Sequence, residues 1–461
     1  MFRKIQNIHF VGIGGIGMSG IAQLLYNLGY KISGSDIVKS DRTKLLNEMG
    51  IQVMYGHNEK NINGAQVVVF SSAVNYDNPE IIAANNNNIP VIRRAEMLGE
   101  LLKLKPISIA VSGTHGKTST SSMLGSILNN ANESPTLVIG GIVKELDTNF
   151  ASGQGNVILV EADEFDKTFL SLNPTMSIIT NIDLEHLDCY KNFDELMDSF
   201  SQFANSVPFY GKVIISRDDV KQIFFKMLNR PFITYGLESE NNNFSAINIV
   251  FDEYKTTYDL YSENQYFETI YLNVPGIHNV KNSLAAISCA IELEIDVKHI
   301  IKGLKNYSGV SRRFERVYNF SERNIAIIDD YAHHPTEIAA TINAAKNLSH
   351  DRVIAIFQPH LFSRTKDFCN DFADSLFLAD KIILTQIFGA REKPIKGVTS
   401  EIIIDKLKEL GHEDFIIVDN KNDIPDYIKT IVKNNDLIIT MGAGSIYSIN
   451  KQIKKIISSD E

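Results

Sequence analysis

The chain has 461 residues, 44% hydrophobic and 22% charged, and its 45 Lys and Arg stand against 55 Asp and Glu for a net charge of −10. That balance argues against a nucleic-acid-binding surface and leaves any anionic ligand to local cations and helix ends. Three widely spaced cysteines, Cys189, Cys289 and Cys369, form neither a disulfide framework nor a metal pattern, and no apolar run is long enough to span a bilayer, so a reducing cytoplasm is the expected setting.

The length suits roughly two to four domains. The start, Met-Phe-Arg-Lys before an apolar stretch, has the outline of a signal peptide. His9, Gly12, Gly14, Gly15 and Gly17 interrupt the stretch, however, and a strand, a turn and a helix fit it better. From residue 1 to 104, apolar runs at Ile8–Ile13, Lys31–Ser33, Val67–Phe70 and Pro90–Ile92 alternate with amphipathic stretches, the pattern of a parallel α/β unit. Gly12-Ile-Gly14-Gly15-Ile-Gly17 follows the first strand and opens a helix, with Asp36 ending the second strand. On spacing this is a dinucleotide fingerprint. It establishes only that a diphosphate suits that helix N-terminus, and a UDP-sugar offers the same diphosphate. The polar run Asn85–Asn88 reads as a loop or helix end. Lys103-Leu-Lys-Pro106 breaks the alternation and marks a boundary near residue 104.

The second unit, 105–310, carries the sharper signal. The apolar run Ile107–Val111 leads into Gly113-Thr114-His115-Gly116-Lys117-Thr118-Ser119 and a helix-compatible stretch. Strand, glycine loop, lysine, hydroxyl and helix are the order a triphosphate site requires: backbone N–H groups for phosphate oxygens, Lys117 as cation, the Thr118 hydroxyl for Mg²⁺. The match is imperfect, since only Thr114 and His115 separate the two glycines and Val111 stands where an earlier glycine is usual. Further strands are expected at Val157–Val160 and Ser177–Thr180, and antiparallel ones at Phe244–Val250, Thr256–Tyr261 and Tyr266–Leu272, with a helix over His278–Glu292. Asn241–Asn243 is a second polar run. Glu161 ends the apolar run Val157–Val160, at the crevice edge where such folds bind ligands. Asp163, Glu164 and Asp166 share its chemistry with weaker claims.

From residue 311 to 461 the alternation restarts. Strands are expected at Ile325–Ile328, Arg352–Phe357, Lys381–Leu384, Asp414–Val418 and Asp436–Thr440, which makes a third, doubly wound domain. Gly442-Ala-Gly444-Ser445 follows the last strand and reads mainly as a tight βα turn. Two phosphate-type loops on separate α/β domains imply two different nucleotide ligands.

Taken in order, Gly12 to Ala22, Gly113 to Thr118, Glu161-Ala-Asp-Glu-Phe-Asp166, His278-Asn-Val-Lys-Asn282, Ser311-Arg-Arg-Phe314, Asp330-Tyr-Ala-His-His-Pro335 and Gln358-Pro-His360 resemble the Mur ligase family over essentially the whole chain. Gly-Met-Ser-Gly-Ile-Ala and Asp-Tyr-Ala-His-His-Pro are nearest its alanine-adding member. The resemblance implies three α/β domains: a Rossmann-like UDP-sugar domain, a P-loop-type ATPase domain with extra antiparallel strands, and a Rossmann-like amino-acid domain. It implies that ATP phosphorylates the lactyl carboxylate of UDP-N-acetylmuramate. L-alanine then displaces phosphate from the acyl phosphate, a step in peptidoglycan precursor synthesis. Small molecules alone are the implied partners, with no nucleic acid and no membrane.

By the same resemblance, Glu161 joins Thr118 as an Mg²⁺ ligand, His186 stands beside a second metal ion in direct or water-mediated contact, and His278, Asn279 and Asn282 hold adenine. Arg313 reaches the γ-phosphate and Asp330 lies near ATP. Tyr331, His360 and Arg364 belong to the amino-acid site, Arg364 as a carboxylate clamp and His360 as a candidate proton acceptor. Leu361 stands where some relatives carry a basic residue. Arg312 and Arg316 read as plain surface charge. Gly14, Gly15, Gly17, Met18 and Ser19 would hold the UDP diphosphate, with Asp36, Ser71, Ser72 and Arg94 as further UDP-sugar contacts. Three other readings remain: a sister ligase adding a preformed tripeptide, a nicotinamide-dependent oxidoreductase using Gly12–Gly17, and a non-catalytic UDP-sugar-binding protein. The second glycine loop counts against the oxidoreductase, and the retention of Lys117, Glu161, His186 and Arg313 counts against loss of chemistry.

Overall fold

A computed structural model describes residues 4–71, 73–144, 148–183, 189–238, 240–390 and 392–459. The chain groups into two compact units, one of residues 1–248, 258–270 and 281–307, the other of 249–257, 271–280 and 308–461.

The first unit opens with β1 (Asn7–Val11), α1 (Ile16–Asn27), β2 (Lys31–Asp36), α2 (Asp41–Glu48), β3 (Gln52–Tyr55), β4 (Val67–Phe70), α3 (Pro79–Asn86), β5 (Val91–Arg93) and α4 (Arg94–Leu102). The five strands form a parallel sheet in the order β3-β2-β1-β4-β5. The run Asn85–Asn88 is the end of α3, as a helix-end reading expects.

Next come β6 (Ile107–Ser112), α5 (Lys117–Asn130), β7 (Thr136–Val143), β8 (Thr148–Ala151), β9 (Val157–Glu161), β10 (Met176–Ile179), α6 (Phe193–Asn205), β11 (Lys212–Ser216), the short α7 (Gln222–Phe225) and β12 (Phe232–Gly236). They continue as β13 (Phe244–Asp252), β14 (Lys255–Ser262), β15 (Gln265–Leu272), α8 (Ile277–Glu292) and α9 (Val297–Asn306). The ten strands make one sheet in the order β15-β14-β13-β12-β11-β10-β6-β9-β7-β8. Helices cover both faces of its parallel part, which is why β9 and β10 are nearly continuous apolar runs.

The five-stranded and ten-stranded sheets share one core. Met18, Ile21 and Leu25 of α1 and Met97 and Leu101 of α4 belong to the same apolar cluster as Val138, Phe150, Val160 and Phe169. A Cβ on Gly99 would lie 2.5 Å from the Ser171 carbonyl oxygen, so α4 meets the 3-10 turn Phe165–Ser171 backbone to backbone.

The second unit holds β16 (Glu315–Phe320), β17 (Ile325–Asp330), α10 (Pro335–Lys346), β18 (Arg352–Phe357), α11 (Phe362–Asp367), α12 (Cys369–Leu376), β19 (Lys381–Leu384), α13 (Glu401–Glu409), β20 (Phe415–Ile417), α14 (Ile424–Ile431), β21 (Asp436–Met441) and α15 (Asn450–Ser459). The sheet order is β16-β17-β21-β18-β19-β20, parallel except for the antiparallel β16. Separate apolar clusters cover its two faces. Because β21 lies between β17 and β18, the carboxyl edge there is a topological switch point, the usual ligand crevice.

Candidate functional site

The glycine loop between β6 and α5 has the backbone its sequence demands. Gly113 has φ +131° and Gly116 φ +82°, where L side chains are strained. A Cβ on Gly113 would sit 2.0 Å from Thr180 Oγ1, and one on Gly116 would sit 2.4 Å from Asn282 Oδ1. The loop is laced to the strand beside it: His115 N donates to Asn181 Oδ1 (2.9 Å), Asn181 Nδ2 donates to the His115 carbonyl (3.0 Å), and Thr114 Oγ1 donates to the Asp183 carbonyl (3.1 Å). The first intrahelical bond of α5 runs from Thr120 N to the Gly116 carbonyl, so the amides of Thr118 and Ser119 precede the ladder at the positive end of the helix.

Thr118 and Glu161, 43 residues apart, come together: the Thr118 hydroxyl donates to Glu161 Oε2 at 3.2 Å, while Gly140 N donates to Glu161 Oε1 at 2.7 Å. Two hard oxygen donors beside a phosphate-type loop are the donor set Mg²⁺ takes. Lys117 Nζ is held 2.8 Å from Glu164 Oε2, whose side chain is 1% exposed, and donates to the Thr114 carbonyl at 3.1 Å. Glu164 is therefore the partner of Lys117, a role its sequence position did not reveal. His186 and Ser72 lie outside the described residues, as does the side chain of Asp166.

Asn282 sits on α8 against this loop and accepts from Thr120 Oγ1 (3.3 Å). Asn279, at the start of α8, donates through Nδ2 to the Pro275 carbonyl (2.7 Å), so part of its amide fastens the helix end. Burial of the His278 ring lowers its pKa to about 4, which leaves it neutral at pH 7.

On the first sheet, Gly14 N donates to Asp36 Oδ2 (2.8 Å) and Val38 N to Asp36 Oδ1 (3.0 Å). Asp36 thus holds the glycine turn itself with both oxygens. Arg42, unnoticed in the sequence, donates through Nε to the Gly14 carbonyl at 2.7 Å. Met18 and Ser19 are buried, and Ser19 Oγ donates to the Ile16 carbonyl. A Cβ on Gly12 would lie 3.3 Å from Ser71 Cβ, and one on Gly17 would collide with Arg94. Arg94 in turn faces Asp163, Nη2 to Oδ2 3.7 Å. Gly14, Gly15, Gly17, Asp36, Ser71 and Arg94 therefore cluster at one end of β1, β2 and β4.

In the second unit, Asp330 is tied down by three donors: Phe314 N (3.0 Å), Ala332 N (2.8 Å) and Thr341 Oγ1 (3.0 Å). Burial raises its pKa to about 6 against the pull of Arg313 and the Ala332 N–H. Arg313 faces Glu337 (3.6 Å) and the Tyr331 ring (5.2 Å). The surface-charge reading of Arg312 is corrected: its Nε bonds Asp329 Oδ2 (3.1 Å), its Nη2 bonds the Gly442 carbonyl (2.7 Å), and its guanidinium packs on Tyr331 and Tyr447. Arg316, by contrast, is exposed, in keeping with a surface charge, and its guanidinium lies 4.1 Å from the centroid of the Tyr254 ring.

Tyr331, His333, His360 and Phe388 form a line of rings with centroids 5.2, 5.9 and 5.9 Å apart. Leu361 has φ +69°, a strained value for a leucine, held where its N–H donates to the Phe388 carbonyl. Beyond Phe388 a cleft of about 510 Å³ opens over the carboxyl ends of β18 and β19, lined among others by Gln358, Glu392 and Lys421.

Two glycine loops of phosphate-binding type and a third α/β sheet with a polar crevice are the architecture of a nucleotide-binding enzyme, and comparison with known proteins narrows it to a ligase family. Residues 7–106 match the Mur ligase family catalytic domain, 111–290 the Mur ligase middle domain and 312–444 the Mur ligase glutamate ligase domain. The chain belongs to the Mur ligase family. It is 45% identical to a UDP-N-acetylmuramate–L-alanine ligase of Syntrophus aciditrophicus, over 97% of this chain and 93% of that one. It is 44% identical to the Geotalea uraniireducens protein of that name over the full length of both. The crystal structure of UDP-N-acetylmuramate–alanine ligase from Thermotoga maritima superposes with a TM-score of 0.84 at 29% identity, covering 99% of this chain and 100% of that one.

Proposed function

We propose that the chain is an ATP-dependent amide-forming ligase that joins L-alanine to the lactyl carboxylate of UDP-N-acetylmuramate. The observation that carries the chemistry is the pairing of Thr118 with Glu161 on the glycine loop that also bears Lys117. The 41–45% identity to proteins of that activity over nearly the whole chain supports the choice of substrates.

A carboxylate is a poor acyl donor because oxide is its leaving group, and phosphorylation replaces oxide with phosphate. The protein's part is to position reactants and neutralise charge. Thr118 and Glu161 would hold Mg²⁺, which supplies charge neutralisation on the phosphates. In this reading Lys117 exchanges Glu164 for phosphate oxygens, and the Thr118 and Ser119 amides add donors. Asn282, with His278 and Asn279, flanks the base. The turn Gly14–Ser19 takes the diphosphate of the sugar nucleotide. Arg313 supplies a second cation, and Arg364 clamps the amino-acid carboxylate. The segments 1–104, 105–310 and 311–461 are taken as the sugar-nucleotide, ATP and amino-acid domains.

The test is phosphate release from ATP in the presence of UDP-N-acetylmuramate, with single amino acids or the tripeptide added in turn. L-alanine is expected to drive release. Release driven by the tripeptide instead, or reduction of a nicotinamide cofactor without ATP consumption, would replace this reading.

A further inference from the structure

The line of rings in the second unit contains a histidine whose tautomer is fixed by its neighbours. His333 lies between Tyr331 and His360, with ring centroids 5.2 and 5.9 Å away. Its Nδ1 is 2.9 Å from the Tyr331 carbonyl oxygen and 3.2 Å from Glu337 Oε2. A carbonyl oxygen only accepts, so Nδ1 carries the ring proton and Nε2 holds the lone pair of the neutral imidazole. The side chain is 19% exposed, and among the described residues Nε2 makes no hydrogen bond. The basic nitrogen is left for a ligand.

The start of α10 builds this arrangement. Glu337 Oε2 accepts from His333 N at 3.0 Å and from His334 N at 3.4 Å, so one carboxylate both caps the helix and backs the ring. Its other oxygen, Oε1, lies 3.6 Å from Arg313 Nη1. Carboxylate, protonated Nδ1 and open Nε2 are the order that makes a histidine a general base: the carboxylate holds the tautomer and stabilises the imidazolium that forms. Arg313 opposes that charge, and Asp330 and His278 lie close enough to feel both Arg313 and Glu337. His360 faces the ring from the end of β18 and is itself stacked on Phe388, with an interplanar angle of 27°.

We propose that His333 Nε2 is the base that takes a proton from the α-ammonium of the incoming amino acid, with Glu337 as its positioning residue. The proposal rests on the ligase reading above and gives His333 the role that the family resemblance suggested for His360. An ammonium has no lone pair with which to attack. One N–H proton passes to Nε2, the freed lone pair attacks the acyl-phosphate carbon, and the bond from that carbon to the phosphate oxygen breaks. A second N–H proton leaves with the phosphate, and the imidazolium returns its proton to water.

His333→Gln tests this, with hydroxylamine as a second nucleophile because it is uncharged at neutral pH and needs no base. With L-alanine, kcat/KM is expected to fall about 10²–10⁴-fold, the usual contribution of a general base, and the gap should narrow as pH rises toward the range where the free amine is neutral. Hydroxamate formation from ATP, UDP-N-acetylmuramate and hydroxylamine should stay within about threefold of the parent, as should KM for ATP. Glu337→Gln keeps an acceptor for the helix cap and removes the charge. It should move the acid limb of the kcat/KM profile for L-alanine to lower pH, because a neutral amide no longer favours the imidazolium. That shift is the test if His333→Gln folds poorly. Equal losses with L-alanine and hydroxylamine in His333→Gln, or an unmoved acid limb in Glu337→Gln, would overturn the assignment. So would a loss confined to L-alanine in His360→Gln while His333→Gln keeps the parent rate. If the parent protein yields neither hydroxamate nor L-alanine-driven phosphate release, it is the ligase reading that fails, before any variant is compared.

Discussion

Lys117 and Glu164 show how much of this site is decided by single charges. Glu164 is 1% exposed and pairs with Lys117, so removing the lysine alone takes this cation from a buried carboxylate. Lys117→Met is expected to abolish turnover and to cost about 3–5 kcal/mol of stability, while binding of the UDP-sugar measured by calorimetry stays near the parent value. The double variant Lys117→Met, Glu164→Gln should recover most of the stability and none of the activity. If the double variant regained turnover, Lys117 would have no role beyond pairing.

A second buried pair joins β1 to α3 in the first unit. Glu80 is fully buried and accepts from His9 Nε2 (3.0 Å), Ser35 Oγ (2.7 Å) and Asn61 Nδ2 (2.7 Å). Burial alone would raise its pKa, but these hydrogen bonds and the His9 charge bring it down to about 2 from 4.5. A carboxyl depressed in the folded state adds stability above its unfolded pKa and loses it on acidification. Glu80→Gln should therefore be less stable than the parent at pH 7, by up to about 3 kcal/mol, with the gap closing as pH falls from 4.5 toward 2. Denaturant midpoints at a series of pH values check this. A gap that is constant with pH would mean that packing, not charge, is what Glu80 contributes. Nothing in the sequence announces the pair: His9 interrupts an apolar run, and Glu80 is 71 residues away on a different element.

Among the elements, the loop before α5 was the most legible, because a strand, two glycines, a lysine and a hydroxyl each have one physical use there. Gly113→Ala is expected to cost about 2 kcal/mol or more through its positive φ alone, and the contact with Thr180 adds to this. Nucleotide binding should be lost, and a fluorescent ATP analogue that still bound tightly would count against the loop as the phosphate site. The segment after residue 310 was less legible. Two adjacent arginines look alike in sequence, yet Arg312 is anchored on Asp329 and Gly442 whereas Arg313 faces Glu337 and Tyr331. Arg312→Ala leaves Asp329 buried without its cation and should lower the melting temperature. Arg313→Ala should lower kcat with little change in melting. The reverse pattern would exchange their roles. β11 and β12 escaped the reading because each is a short apolar run without a nearby motif, and β16 because its edge position leaves it half polar.

For the whole molecule, the parallel parts of the three sheets follow from the alternation of apolar runs and amphipathic stretches, and the switch point of the third follows from the doubly wound order. What the alternation does not encode is which sheets pack together. The side chains of α1 and α4 that meet Val138, Phe150 and Phe169 look like the ordinary inner face of a helix. A fragment ending at residue 104 should consequently expose that face. It is expected to bind a hydrophobic dye and to associate, whereas a fragment of residues 1–307 should give a sharp melting transition. A monomeric, dye-silent 1–104 fragment would contradict the shared core.

The backbone approach of Gly99 to Ser171 carries that point into heredity. Any side chain at position 99 would push the two neighbours apart, so the front sheet of a relative could be grafted here only together with the matching turn at 165–171. Recombination between members of the family would then leave viable crossovers after that turn and few between residues 104 and 165.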